Sequence, residues 1–477
     1  MLSLNQKQKT IAGCLLLVSA LWIFRSAQAQ QSEERDPLPE PTTKAELDIR
    51  AHFCDVAPQQ EICSVLPKDV TDFSASSVYM LIEQNAQNPF DLFSWKTFVA
   101  LTWPLDQEGT VLTDHEGGSF GSPRLWQTYS NLKTLFDEPD SGICDQDKNG
   151  EPVLITSEFT QAQGQPLIDQ NGNYVVFDVR VNPTMEKYIR QNNLNTLEGQ
   201  QAFKDSGKEI DFPKGHYDDA ATRMGGKVGS LEIKTAWRIL DPDNHEEMAR
   251  FMVVDGNIEV AAADSIAGDD LCIPVKLGLV GFHIVRRTES GNGGDWVWTT
   301  FEHIDNAPYA DKARGPNSIF SKPLFPQGCA VNVDHNRTYS FFDPDCANCK
   351  DNLAPVNIGG WKWWSRPPYA GPDARPAQVT RCWKPSLGTR WINRAWQEKL
   401  TGTAWQYYAL STTQWKGANK GQMFPHGEVP RYLTNATMET YIQTAENGSC
   451  LGCHAEARTR AGQPANFSFV LSRVPVQ

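Results

Sequence analysis

The sequence predicts an α+β fold, mainly antiparallel β with scattered helices. Residues 229–239 alternate apolar and polar side chains in their first half, the pattern of a strand with one buried face. Residues 277–287 and 296–303 are rich in Val, Ile, Trp and Thr. They flank Glu289-Ser290-Gly291-Asn292-Gly293-Gly294-Asp295, strong turn chemistry, so the two runs predict an antiparallel hairpin. Helical patterns are few and dispersed along the chain.

The other elements follow in order. Residues 77–104 predict a buried helix, with Asn88-Pro89 as a start signal and Phe90, Phe93, Trp95, Phe98, Val99 and Leu101 as core residues. Residues 105–175 are rich in Gly, Asp, Asn and Pro and read as loops with short strands. A strand is expected over 175–181 and a polar surface helix over 184–205. Residues 304–390 are irregular. A short helix over 390–400, a strand over 405–412, a short helix over 437–444 and a final strand over 466–471 complete the reading.

The 477 residues carry 15 Trp and 40% apolar residues, enough for a substantial core. A net charge of -13 argues against a nucleic-acid partner and favours a basic protein partner. Residues 1–29 read as an export signal: Lys7 and Lys9 precede a short apolar run, and Ala27-Gln28-Ala29 offers a small-residue cleavage site. Arg25 breaks the run, which is short for a membrane span, so no stable span is expected after cleavage. An uncleaved anchor is the alternative. Ile11-Ala12-Gly13-Cys14 resembles a lipoprotein box but precedes the apolar run, so lipidation there is rejected. Cleavage removes three basic residues and no acid, taking the charge from -13 to -16. The expected divisions are 1–29 signal, 30–45 flexible lead-in, 46–410 a large β-rich domain, and 411–477 a C-terminal segment packed on the same core.

The most specific signal is Cys450-Leu451-Gly452-Cys453-His454. Two thiols three positions apart on a helical turn reach the two vinyl groups of one haem, and the next His points its imidazole at the iron. The chain's own Cys and His content yields this pattern by chance on the order of once in two hundred such chains. Cys450 and Cys453 are therefore the expected thioethers and His454 the proximal iron ligand of one haem c. Export agrees, because such attachment occurs outside the cytoplasm. A small all-α cytochrome c fold is not expected, because that fold carries its motif early.

The sixth ligand separates a carrier from a catalyst. Only 23 residues follow His454, none of them Met or His. The distal candidates are therefore upstream: Met423 and His426 in a Gly- and Pro-containing loop, Met438 on the approach to the motif, and His283 and His303 on the hairpin. If the hairpin turns at Asn292, His283 and His303 share a face and offer a ligand and a distal acid-base group. Glu232, Lys234, Arg238 and Glu302 sit on predicted strands, where inward charges would mark a polar site and outward ones a solvated face.

Eight other cysteines follow the signal: Cys54, Cys63, Cys144, Cys272, Cys329, Cys346, Cys349 and Cys382. Outside the cytoplasm these tend to form disulfides. Cys346-Ala347-Asn348-Cys349-Lys350 is similar to the Lys-ligated haem motif of some multihaem nitrite reductases. Pairing of these two cysteines with Cys329 and Cys382 is the simpler expectation, leaving one haem.

Residues 90–104, 231–238, 297–306 and 435–471 resemble bacterial cytochrome c family proteins. The nearest pieces are Thr437-Met438-Glu439-Thr440-Tyr441 and the Cys450 to His454 motif followed by Phe467-Ser468-Phe469. This resemblance implies a haem protein and names no substrate. The last forty residues or so also look like cytochromes c′-beta and their hydroxylamine-oxidising relatives, which implies an open or weakly guarded distal side. Three functions follow: a periplasmic single-electron carrier; a haem enzyme acting on a small nitrogen or oxygen species, with His283 or His303 as acid-base group; and a binding module for a protein or organic substrate with the haem as redox outlet.

Overall fold

The computed structural model describes residues 64–70, 87–106, 109, 122–139, 141–144, 154–162, 164–220, 222–289, 296–314, 338–346, 349–355, 360–416, 428–443 and 448–475. The expected signal and lead-in, together with Cys54, Cys63, Cys329, Met423 and His426, lie outside the described residues. The strands are β1 (Ser130–Asn131), β2 (Leu154–Thr156), β3 (Val176–Val181), β4 (Leu231–Leu240), β5 (Val253–Val260), β6 (Leu271–Arg287), β7 (Trp296–His303), β8 (Tyr309–Arg314), β9 (Arg381–Trp383), β10 (Tyr408–Lys416) and β11 (Glu428–Val429). The helices are α1 (Asn88–Leu101), α2 (Leu132–Leu135), α3 (Pro183–Gln191), α4 (Leu197–Asp205), α5 (His245–Met248), α6 (Leu387–Lys399) and α7 (Cys450–His454).

A nine-stranded sheet runs β1-β3-β4-β6-β7-β10-β11, with β5 beside the first half of β6 and β2 beside β5. Every pair in it is antiparallel except β2–β5. β8 and β9 form a separate parallel pair. The fold is thus mixed α+β with an antiparallel-rich sheet, as the alternation in 229–239 and the hairpin predicted. Strand β10 lies inside this sheet, so the described residues from 411 onward share a unit with the strands before them.

Four sequence expectations need correction. The single helix over 184–205 is two helices. Asn193 adopts a left-handed φ of 53°, and each helix has its own cap, Asn182 accepting from Met185 N and Thr196 from Gly199 N. The helix over 437–444 is a single 3-10 turn, Thr440–Ile442. The strand over 466–471 does not form: Asn466 and Phe467 have φ of 50° and 68°, and a 3-10 turn follows at Val470–Arg473. Its apolar pattern records burial and not strand pairing. Finally, His283 pairs with Thr300 and Gly281 with Glu302, which puts His303 on the face opposite His283. This register differs by one residue from the one that a turn centred on Asn292 would give, and a one-residue change of register exchanges the faces of a strand.

The two faces of the central strands differ in chemistry. One carries Phe282, Ile284, Thr299, Phe301 and Thr413 and is covered by α1. Phe98 stacks on Phe301 at 4.1 Å, and Ser94 bonds Thr299 and Thr413 at 2.7 Å each. Helix α6 seals α1 from behind, with Trp95 and Trp396 stacked at 5.7 Å. The other face carries Glu232, Lys234, His283, Val285, Trp298, Thr300 and Gln414, and the C-terminal segment lies on it. Gly281 permits the closest approach: a Cβ there would stand 2.4 Å from Thr437 Oγ1.

Asp91, fully buried, ties the α1 face together. Its carboxylate accepts from Gln87 Nε2 at 2.9 Å, Thr389 Oγ1 at 2.7 Å and Thr413 N at 3.2 Å, joining α1, α6 and β10. Asp91→Ala strands these donors and should lower the unfolding free energy by about 2–4 kcal/mol, measured by urea unfolding.

Candidate functional site

Helix α7 is the Cys450–His454 motif itself. Ser449 caps it, its Oγ accepting from Gly452 N at 3.0 Å. Gln414 of β10 fixes the helix to the sheet: its Oε1 accepts from Leu451 N at 2.8 Å, and its Nε2 donates to the Pro430 carbonyl at 2.8 Å. Cys450 and Leu451 join a buried apolar cluster with Val285, Trp298, Leu433 and Leu471. The Cys450 thiol faces the Leu433 carbonyl at 3.5 Å, whereas Cys453 is exposed.

Both motif cysteines are unbonded. Burial, and secondly Glu439, pushes the Cys450 thiol well above its ordinary range, so it is held neutral. The other described cysteines are all oxidised: Cys144 with Cys272, Cys346 with Cys349, and Cys382 in a disulfide. Cys346 and Cys349 therefore pair with each other and not with Cys329 and Cys382. The same spacing closes on itself in the Asp343–Cys349 turn and stays open in the capped helix.

His454 is half-buried and oriented from three sides. Its ring lies 4.0 Å from Trp298 and 4.8 Å from Phe469, and Nδ1 donates to the Phe467 carbonyl at 2.8 Å. That carbonyl is aimed by the left-handed backbone at Asn466 and Phe467, which Trp296 Nε1 secures by donating to Asn466 Oδ1 at 3.2 Å. With Nδ1 donating, Nε2 keeps its lone pair, the tautomer a metal-binding imidazole requires. Burial lowers the pKa of His454 to about 4, and the Phe467 hydrogen bond opposes that shift.

Beside the motif lies a polar array. His283 is buried, and its Nε2 donates to Glu439 Oε1 at 3.0 Å. Glu439 Oε2 accepts from Asn435 N at 2.8 Å. Burial disfavours the ionised Glu439, yet the charges of His283 and Lys234 and these hydrogen bonds hold its carboxyl below the ordinary range. The Nδ1 of His283 has no hydrogen-bond partner among the described residues. Lys234 is directly opposite His283 on β4, and burial lowers its pKa. Glu232 Oε2 accepts from Ser468 Oγ at 2.7 Å, and burial raises its pKa to about 7.

The remaining candidates separate. His303 is fully buried on the other face, stacked on Phe251 at 3.9 Å, with Nε2 at 3.0 Å from the Arg250 carbonyl and Nδ1 at 3.2 Å from Asp305 N. It is a core residue with both nitrogens engaged. Met438 is fully buried among Leu167, Val175, Phe177 and Val280. Glu302 bonds Arg381 Nε and Ala436 N, and Arg238 bonds Asp169, so both are structural. Glu439, Trp298 and the Phe467 carbonyl were not among the site candidates read from the sequence, although Glu439 and Phe467 lie in the segments that carry the family resemblance. The strand parity of Trp298 with His283 is the one signal that could have found any of them, and it required the correct register.

Among the described residues no three His, Cys, Asp or Glu side chains converge as a metal cluster, and no helix is long and apolar enough to cross a membrane. No family model, curated protein or solved structure matches this chain.

Glu232 sets a pH dependence. Its folded pKa of about 7 lies above the ordinary 4.5, so the stability it contributes is complete below about pH 4.5 and is lost as pH rises through about 7. Glu232→Gln has no proton to lose. Its unfolding free energy relative to wild type should rise by about 3 kcal/mol across that window, read from urea unfolding near pH 4 and pH 8.

Proposed function

We propose that the chain is an exported c-type haem protein that transfers single electrons in the periplasm, with one haem attached at Cys450 and Cys453 and His454 as proximal ligand. The observation that carries this reading is the chemistry of the donor set. Among the described cysteines these two alone are thiols, and the adjacent imidazole has Nδ1 engaged at 2.8 Å and Nε2 left with its lone pair. The resemblance of 435–471 to cytochrome c family proteins points the same way.

When bound, the haem supplies a one-electron couple. This chain's residues do the rest. The α7 cap and Gln414 hold both thiols on one rigid turn. The Phe467 carbonyl raises the basicity of the imidazole and fixes its plane. Trp298, Phe469 and Leu451 exclude water from the His454 side, while exposed Cys453 places one edge of the motif at the surface. The net charge of -13 suits a basic redox partner.

A second reading, a haem enzyme acting on a small nitrogen or oxygen species, is favoured by His283. Glu439 holds its Nε2 at 3.0 Å, and its buried Nδ1 has no hydrogen-bond partner among the described residues. His303 does not serve this reading, because both of its nitrogens are engaged on the opposite face.

Mass spectrometry of the matured protein should show one added haem, lost in Cys450→Ala/Cys453→Ala. A colourless wild type with these thiols free or bonded to each other defeats the proposal. The ferrous protein should remain low-spin and bind no carbon monoxide if it is a carrier. Ready binding of carbon monoxide would replace the carrier by the enzyme. Met438→Leu should leave the spectrum unchanged and cost less than about 1.5 kcal/mol, since it exchanges one core side chain for another.

A further inference from the structure

Cys346 and Cys349 are bonded to each other across a turn. Cys349 is exposed and Cys346 is half-buried, so Cys349 is the sulfur that an outside reagent meets first. The turn does not depend on this bond. Its entrance is held by Gln378, whose Oε1 accepts from Asp343 N at 3.1 Å and whose Nε2 donates to the Asp343 carbonyl at 2.7 Å. Its exit is held at Asn352, which has a left-handed φ of 55°. Asn352 N donates to the Gln378 carbonyl at 2.7 Å, its Nδ2 donates to Thr380 Oγ1 at 3.0 Å, and its Oδ1 accepts from Thr380 N at 3.0 Å. Just before the turn, Val379 N donates to the Phe341 carbonyl at 2.8 Å, and both side chains are buried in one apolar cluster. These contacts close the base of the loop whether or not the two sulfurs are joined.

Cys144–Cys272 has a different character. It ties the buried Cys144 to β6 across a separation of 128 residues. Cys272 is exposed as well, so exposure alone does not separate the two disulfides. The loop that each one closes does. A disulfide restricts the unfolded chain more as its loop lengthens, and a separation of 3 restricts it little. Opening Cys346–Cys349 leaves the fold nearly as it was, whereas opening Cys144–Cys272 releases a long-range tie. Exposed disulfides of small structural value are the labile, exchanging kind.

We propose that Cys346–Cys349 is a thiol–disulfide exchange site that oxidises small thiols and does not involve the α7 motif. The sulfur of an incoming thiolate bonds to Cys349 Sγ. The Cys346–Cys349 bond breaks, and Cys346 leaves with the electron pair and takes a proton from water. A second thiolate attacks the incoming sulfur of the mixed disulfide, and Cys349 leaves and is protonated in turn. Two thiols become one disulfide, and the protein disulfide becomes two thiols.

The matured protein is equilibrated without denaturant in glutathione buffers running from fully oxidised to fully reduced. It is then alkylated with iodoacetamide and mapped by peptide mass spectrometry. Cys346 and Cys349 should become alkylated together, to the same extent from either starting state, while Cys144–Cys272 stays closed and tryptophan fluorescence stays native. With oxidised glutathione, Cys346→Ser should be modified at Cys349 about 10-fold or more faster than Cys349→Ser is modified at Cys346. A Cys346–Cys349 bond that survives the reduced end overturns the proposal. So does one that opens only together with Cys144–Cys272 or with loss of native fluorescence. Equal rates in the two variants overturn the exchange step as written. Peptide mapping reads Cys450 and Cys453 separately, so a missing haem leaves this result unaffected.

Discussion

The register of three strands, Lys234 opposite His283 and His283 opposite Thr300, governs what the rest of the molecule can do. Because strand side chains alternate, this one alignment sends Phe282, Ile284 and Phe301 to one side and Glu232, Lys234, His283 and Trp298 to the other. The first set demands an apolar cover and receives α1 and α6. The second demands partners for charge and receives the C-terminal segment. A shift of β7 against β6 by one residue would bring His303 to the face of His283 and turn Trp298 and Thr300 to the phenylalanine side.

The C-terminal segment is therefore shaped by what it must satisfy. Asn435 donates to Thr300 Oγ1 at 2.8 Å and to the Phe301 carbonyl at 3.1 Å, anchoring the chain to β7 before Glu439 reaches His283. Glu302 receives Ala436 N on the same stretch. Further on, two successive left-handed residues turn the chain so that the Phe467 carbonyl meets His454 and Ser468 meets Glu232. Left-handed backbone at a bulky residue such as Phe467 is costly and persists where its surroundings fix it. Here they fix it to the imidazole of the motif.

Much of the sheet was legible in the sequence. β4 and α6 leave a periodic trace, whereas α1, buried on almost every side, was legible from its Asn88-Pro89 start and aromatic run, and the β6–β7 hairpin from its β-rich composition and turn chemistry. Strand β5 and the early half of β6 left none that was used: Asp255, Asn257 and Glu259 alternate weakly in a polar stretch. The tail failed for the opposite reason. Phe467, Phe469 and Leu471 alternate as a strand would, yet they are buried by packing and turn chemistry, which period-2 spacing does not distinguish from pairing.

The sequence by itself determined the Cys450 to His454 motif, since the spacing of two thiols and an imidazole along one helical turn is a local matter of bond lengths and pitch. It also determined that charges stand on β4 and β7. Which way those charges face was decided only by tertiary structure, because a half-residue shift in the hairpin centre reverses the answer. So was the contrast between Cys346–Cys349, closed into a disulfide, and Cys450 and Cys453, left open. The spacing is identical, and the difference lies in the turn, the helix cap and the strand against which each is held.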